Sequence, residues 1–189
     1  MKNIILFLLC MSPLASMALE AMPKCYSHGR ELSVMNEAVV QYKQTMPNLK
    51  KIQVLVKATL VKEMSPTLNN FGQHQHFIVA LRDDKSDQAG LIEVANSMNG
   101  YIFPEASDLA AGPIYICAEY STTNAKGFPK ITKFTPSDTG AMLHWTHQAD
   151  QGNIGDQTMG HPNGWIYANG KVFGRNSNSI GQDQVQGQD

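Results

Sequence analysis

Histidine and tryptophan side chains are concentrated late in the chain, in the motifs His144-Trp145-Thr146-His147 and His161-Pro162-Asn163-Gly164-Trp165. Both tryptophans and three of the six histidines belong to these two motifs. Imidazole can bind a metal, transfer a proton or hydrogen-bond a ligand near neutral pH, and indole offers a flat apolar face for stacking. The segment therefore marks a candidate site, although its residue types alone do not determine a reaction.

Metal binding is one chemistry that the histidines could support. His74 and His76 are separated by one residue, so on a strand they present two imidazoles on one face, as many zinc sites do. A third ligand could come from His144, His147 or His161. The chain has no HExxH motif and no closely spaced cysteines. We therefore expect no cofactor, and zinc is the alternative, with His74, His76 and His144 as its candidate ligands.

Acid–base catalysis needs a histidine beside an orienting carboxylate. The candidate catalytic residues are His144, His147 and Glu119. On a regular strand His144 and Thr146 share one face, while Trp145 and His147 share the other. Both histidines can therefore serve one site only if the strand bulges or ends within the motif.

Aromatic side chains predict a third kind of site, because bases and sugar rings stack on them. Neighbouring histidine and asparagine side chains would add directional hydrogen bonds. The competing interpretation is that Trp145 and Trp165 fill the core, where large aromatic side chains are common. The predicted ligand-binding residues are Trp145, His147, His161, Trp165, Tyr120, His74 and Asn96.

These patterns favour a small binding module whose ligand is an oligosaccharide or a single-stranded nucleic acid. A second hypothesis is a histidine-based hydrolase of phosphodiester or glycan bonds, with or without zinc. A third is an exported protein that acts on a host or envelope partner. The sequence leaves open whether any reaction is catalysed, and it contains no glycine-rich phosphate loop, nucleophile elbow or kinase signature.

The N-terminus has the composition of a secretory signal peptide. Lys2 precedes an apolar run over residues 4–11, which is too short to span a bilayer. Ser16 and Ala18 provide small residues at the −3 and −1 positions of a cleavage site. We expect cleavage after Ala18 and export to the periplasm or the cell exterior, with no transmembrane segment in the mature chain. Cys10 follows the bulky Leu9, which argues against a lipid anchor.

The net charge and the cysteine content limit the kinds of binding partner and the cellular compartment that fit this protein. Without Lys2 the 15 basic residues become 14 against 16 acidic ones, so the mature net charge is −2. This balance argues against strong nonspecific binding to nucleic acid or to anionic membranes. Cys25 and Cys117 are the two cysteines that remain after cleavage, and in an oxidising compartment we expect them to form a disulfide.

Hydrophobic periodicity predicts one helix followed by short strands. Apolar residues at steps of three and four indicate a helix over 30–46. Alternating residues indicate strands over 52–61, 77–81, 91–95, 113–120 and 140–147, with a polar loop over 65–75. A hairpin over 165–173 should turn at Asn169-Gly170, and a short extra strand is expected over 131–134.

This order of elements is typical of a mainly β protein. We expect a small OB-like antiparallel β-barrel of five to six strands with one N-terminal α-helix. The signal peptide occupies 1–18, a single barrel domain occupies 19–174, and 175–189 is a disordered polar tail.

The two late motifs also carry a family resemblance. HWTH and HPxGW, together with His74, Phe77, Asn96 and the pair Glu119-Tyr120, resemble an uncharacterised family of small exported bacterial proteins, known only as a domain of unknown function. The resemblance covers about 34–173 and implies a compact β-barrel and export, with no established activity. The chain has His76 where the family is usually basic and Ala95 where it usually has histidine, so neither position can belong to a shared mechanism.

Overall fold

The computed structural model describes residues 19–69, 72–122, 139–148 and 163–177. Within these ranges the protein is mainly β, with two short helices and a brief 3-10 turn at Gln88–Gly90. The elements are β1 (Tyr26–Ser27), β2 (Arg30–Glu31), α1 (Asn36–Thr45), β3 (Ile52–Asn69), β4 (Gly72–Ala80), β5 (Leu91–Ser97), α2 (Ala106–Ala110), β6 (Ile114–Thr122), β7 (Ala141–His144), β8 (Trp165–Ala168) and β9 (Lys171–Phe173).

The N-terminal helix is shorter than predicted. The prediction of a helix from residue 30 was wrong, because Arg30–Glu31 pairs with Tyr26–Ser27 in a small hairpin. Helix α1 begins at Asn36, whose side-chain amide donates to Lys57 O and Leu81 O, each at 2.6 Å. These bonds fix the start of the helix across two strands. Pro47 follows soon after its last residue and cannot continue it.

A long hairpin of β3 and β4 replaces the polar loop predicted over 65–75. Strand β3 continues to Asn69 and β4 begins at Gly72, so His74 and His76 lie within a strand. The pairing register shifts twice, between Leu60 and Lys62 and between Met64 and Thr67. The first shift leaves Val61 as an extra residue in β3. The second contains Pro66, which has no N–H to give to a ladder.

The seven larger strands form one sheet in the order β3-β4-β5-β7-β6-β8-β9. Strand β3 also pairs with β6, so the pairing passes from β3 through β4, β5, β7 and β6 and returns to β3. The β5–β7 pair is parallel, and the other pairs in this circuit are antiparallel. Strands β8 and β9 extend the sheet beyond β6 and turn at Asn169-Gly170 with φ of 50° and 73°, as predicted.

Two apolar clusters occupy opposite faces of the sheet. The main core takes alternate residues from the strands and the inner side of α1, and includes Val39, Val54, Phe77, Val94, Ile116, Leu143 and Ile166. The second cluster contains Cys25, Leu55, Cys117, Trp165 and Val172.

The Cys25–Cys117 disulfide was correctly predicted and lies in the second cluster. It joins residues 92 positions apart with Cα atoms at 5.6 Å, and ties β6 to the segment just before β1. In the chain-entropy description, a loop of this size contributes about 4 to 5 kcal/mol to stability.

Several predictions fall outside the described residues. They are the short strand over 131–134, most of the two insertions over 121–138 and 148–160, the signal peptide, and the tail beyond residue 177. The first three residues of the predicted tail do belong to the fold, because Asn176 bridges to Tyr101 and Ser177 N donates to Gly100 O at 2.9 Å. Across the described ranges, no helix is both long enough and apolar enough to cross a membrane.

Candidate functional site

The HWTH motif lies where β7 ends. The strand stops at His144, and Trp145 takes a left-handed backbone conformation with φ of 55°. The strand predicted over 140–147 therefore ends three residues early, so the strict alternation of faces does not apply beyond His144. The Trp145 ring is near both histidines of the motif, with ring centroids 4.9 Å from His144 and 5.4 Å from His147.

The two late motifs cross each other at a glycine. A Cβ on Gly164 would lie 1.8 Å from the carbonyl oxygen of Trp145, so only glycine fits there. The Gly164 N–H donates to His147 O at 2.9 Å, and Gln148 N donates to Gly174 O at 2.8 Å. This close packing of two chain segments therefore explains why the HPxGW motif has a glycine at position 164.

The predicted aromatic platform is divided between different parts of the fold. Trp145 is half-buried, whereas Trp165 is 6% exposed and packs beside the disulfide, with its indole N–H donating to Lys24 O at 3.3 Å. Tyr120 is fully buried in the main core, so its ring does not belong to a ligand surface. The structure therefore does not bring these three rings onto one face.

The polar members of the predicted ligand set are also dispersed. His147 is 8% exposed and its ring lies 4.1 Å from that of Tyr101. Asn96 is fully buried and accepts a hydrogen bond of 2.7 Å from the Thr146 hydroxyl. His161 lies outside the described residues. His74 lies on β4, in a different group of polar residues.

A cleft of about 550 Å³ lies beside the crossing of the two motifs. One wall is formed by the β1–β2 hairpin and the segment just before it. Tyr26, in β1, is 47% exposed there. The other wall comes from the motif crossing and the start of β8. The lining residues that carry aromatic, amide or cationic groups are Lys24, Tyr26, His28, Gln148, Asn163, Trp165 and Arg175.

The cations of this cleft each have a carboxylate partner. Lys24 Nζ lies 2.8 Å from Glu31 Oε2, and Arg175 Nη1 lies 3.6 Å from Glu20 Oε1. The pKa of Lys24 is raised by its hydrogen bond to Glu31. The cleft therefore combines the rings of Tyr26 and Trp165, the imidazole of His28 and two side-chain amides, and its lysine and arginine are each paired with a carboxylate.

A second polar group lies on the sheet face opposite the main core. We call it the imidazole–carboxylate cluster, and it consists of His74, His76, Glu93, Glu119 and His144. Ring centroids of His74 are 6.3 Å from His76 and 5.8 Å from His144, and Glu119 stands directly across from His144 in the β6–β7 register. The cluster thus includes two of the predicted catalytic residues and all three predicted metal ligands.

Burial favours the uncharged forms of two members of this cluster. Glu119 is 2% exposed, and burial raises the pKa of its carboxyl to about 7, although the nearby charge of Lys51 opposes the rise. Burial also lowers the pKa of His74, against a hydrogen bond to Gly72 O that favours its charged form. A carboxyl with a pKa of about 7 can exchange protons near neutral pH, which is the property required of a general acid or base.

The described part of the chain contains no assembled metal site. There, no group of three or more His, Cys, Asp or Glu side chains is placed to hold a metal ion. His74, His76 and His144 are neighbours, but they do not form a coordination geometry for zinc.

The sequence prediction missed two residues of this face, Glu93 and Thr67. Glu93 is fully buried and accepts a hydrogen bond of 2.8 Å from His76 Nδ1. The signal was the single carboxylate within the apolar run of β5, because a carboxylate so deeply buried needs a partner. Thr67 fell in the region predicted as a loop, so its strand neighbours could not be inferred.

Comparison with protein-family models, with curated proteins and with solved structures found no match to this chain. The resemblance to the family of small exported bacterial proteins therefore stays a prediction.

Proposed function

We propose that this protein is an exported binding module with an OB-like β-barrel that holds an oligosaccharide in the cleft beside Trp165. The cleft is the observation that carries the proposal, because it combines aromatic and amide groups at the crossing of the two most distinctive motifs. Export is supported by the Cys25–Cys117 disulfide, since such bonds persist in oxidising compartments.

The barrel is supported by the pairing of the strands. Five strands, β3 to β7, pair in a circuit that returns to β3, and the main core lies on one face of that circuit. A closed five-stranded Greek-key sheet is the arrangement of OB-folds, which bind oligosaccharides or oligonucleotides on their faces and loops.

The chemistry of the cleft fits a sugar. The C–H faces of a pyranose ring stack on aromatic side chains, and its hydroxyl groups hydrogen-bond to side-chain amides. Trp165, which is 6% exposed, and the more exposed Tyr26 both line the cleft, as do Gln148 and Asn163, whose side chains carry amides.

The charge of the cleft argues against a nucleic-acid ligand. Proteins that bind single strands combine stacking rings with a positively charged groove. Here Lys24 and Arg175 are already paired with Glu31 and Glu20, and the whole chain carries a formal charge of −1. An uncharged oligosaccharide satisfies the stacking and amide groups without needing excess positive charge.

Calorimetric titration of the mature protein with chitohexaose, cellohexaose and a short oligothymidylate tests the proposal. We expect at least one hexasaccharide to bind, and Tyr26→Ala to weaken that binding about tenfold while Tyr26→Phe preserves it. Gln148→Ala should also weaken binding. Gln44→Ala, at an exposed amide on α1 away from the cleft, is the matched control.

Two results would contradict the proposal. One is the absence of binding to either hexasaccharide, or equal binding by the Gln148→Ala and Gln44→Ala variants. The other is preferential binding of the oligothymidylate, which would replace the sugar with a nucleic acid as the ligand.

A further inference from the structure

A hydroxyl, an imidazole and a carboxylate lie in line across three adjacent strands. Thr67 Oγ1 on β3 is 2.8 Å from His76 Nε2 on β4, and His76 Nδ1 is 2.8 Å from Glu93 Oε1 on β5. We infer that these three residues form an acyl-transfer site in which Thr67 is the nucleophile and the substrate is a carboxylic ester. This site is separate from the sugar-binding cleft and does not depend on it.

The bulge in β3 places the Thr67 hydroxyl on the histidine face. Before the bulge Met64 stands across from His76, and after it Thr67 stands across from His74. Without the extra residue, Thr67 would stand across from Gln73 and its side chain would point to the opposite face, because faces alternate along a strand. Bulges often re-aim side chains beside active sites.

The three side chains differ in burial in the way that acyl transfer requires. Glu93 is fully buried and His76 is 2% exposed, whereas Thr67 is half-buried, so the hydroxyl is the member that a substrate can approach. When the Glu93 carboxylate accepts a hydrogen bond from Nδ1–H, the neutral imidazole of His76 carries its proton on Nδ1, and Nε2 is a hydrogen-bond acceptor. The Thr67 hydroxyl then donates to Nε2, as the nucleophile does in serine and threonine triads.

The reaction balances with water as the co-substrate. His76 Nε2 takes the proton of the Thr67 hydroxyl as its oxygen attacks the carbonyl carbon, and the C–O bond of the ester breaks. The leaving alkoxide takes that proton from His76 and departs as an alcohol. A water molecule then gives a proton to His76 Nε2 as its oxygen attacks the acyl carbon. The bond between that carbon and Thr67 Oγ1 breaks, the carboxylic acid leaves, and His76 returns the proton to Oγ1.

Labelling with a fluorophosphonate, together with 4-nitrophenyl acetate hydrolysis, tests the inference in the full mature protein. We expect one phosphonyl adduct, which peptide mass spectrometry should locate on Thr67. Thr67→Val should lower both labelling and ester hydrolysis about 100-fold or more, and Thr67→Ser should retain both. Ser65→Ala is the matched control, since it removes an exposed hydroxyl from the same strand.

Glu93→Gln tests the carboxylate, because it keeps the shape of the side chain and weakens its hold on the imidazole. We expect it to slow labelling of Thr67 without moving the label to another residue. Should this buried variant fail to fold, Thr67→Val, Thr67→Ser and Ser65→Ala carry the test alone. No adduct, an adduct on a different residue, or wild-type hydrolysis by Thr67→Val would overturn the inference and leave the three residues as a structural hydrogen-bond chain.

Discussion

Ionisation of Glu119 should make the protein less stable as the pH rises from about 4.5 to about 7. Its carboxyl is buried on the sheet face opposite the main core, and its pKa is raised from 4.5 to about 7 by burial. Below about pH 4.5 the carboxyl is protonated in both the folded and the unfolded chain. Between pH 4.5 and 7 the folded protein keeps the proton while the unfolded chain releases it, so the free energy of unfolding falls.

The size of the effect follows from the change in pKa. At about 1.4 kcal/mol for each pH unit, a rise from 4.5 to about 7 corresponds to about 3 kcal/mol. The pKa of about 7 already includes the opposing charge of Lys51. We expect about 2 kcal/mol, because water penetration and relaxation around the ionised carboxyl reduce the cost of burying its charge. Glu119→Gln removes the ionisation, so this variant should gain about 2 kcal/mol on the wild type between pH 4 and pH 8.

Urea denaturation of both proteins at a series of pH values, with the disulfide intact, measures this difference. Glu63→Gln removes an exposed carboxyl and should show no comparable gain. Lys51→Gln removes the charge that lowers the pKa of Glu119, so the stability loss should move to higher pH. Two results would refute the reasoning. The free energies of unfolding of Glu119→Gln and wild type could differ by the same amount at every pH, or the wild type could become more stable relative to the variant as the pH rises.

Two further predictions concern the framework of the cleft. Gly164→Ala should cost about 3 kcal/mol or more, because its Cβ would collide with the Trp145 carbonyl oxygen, while Gly112→Ala, with open space around it, should be nearly neutral in the same denaturation assay. Replacement of Cys25 and Cys117 by serine should lower the free energy of unfolding by about 2 to 5 kcal/mol; a loss below about 1 kcal/mol would show that the bond constrains the unfolded chain little.

Local patterns predicted the parts of the fold that depend on neighbouring residues. The Asn169-Gly170 turn followed from the tolerance of both residues for positive φ, and the structure has both in that region. The disulfide prediction followed from the expectation that Cys10 is removed with a signal peptide, which would leave Cys25 and Cys117 as the two remaining cysteines. The strand predicted over 140–147 was too long, because β7 ends at His144; a break was only the condition under which both histidines of the motif could serve one site.

The errors arose where tertiary contacts decide the outcome. Leu32 fits the apolar stripe of a helix, but it packs against the second cluster beside the disulfide, so α1 starts later. The segment over 65–75 is polar and has no alternation that a core-facing strand would show, yet residues 67–69 of β3 pair with residues 72–74 of β4. Its strand structure comes from pairing and not from burial of one apolar face.

The site prediction failed in a different way for Tyr120. The alternation of β6 already placed Ile116 and Ala118 on the core face, and Tyr120 shares their parity. Its burial could therefore have been read from the sequence. The His76–Glu93 contact could not, because it joins two strands whose register is set by the whole sheet.

Burying the imidazole–carboxylate cluster costs folding stability, and this cost is an argument that the cluster has a function. Buried ionisable groups usually contribute less stability than well-packed apolar residues of similar size. Burial favours the neutral forms of Glu119 and His74, while His76 and Glu93 satisfy each other through a hydrogen bond. Perturbed groups of this kind concentrate at functional sites more often than elsewhere. The cluster and the cleft are thus distinct, and the variants above separate ligand binding from ester chemistry.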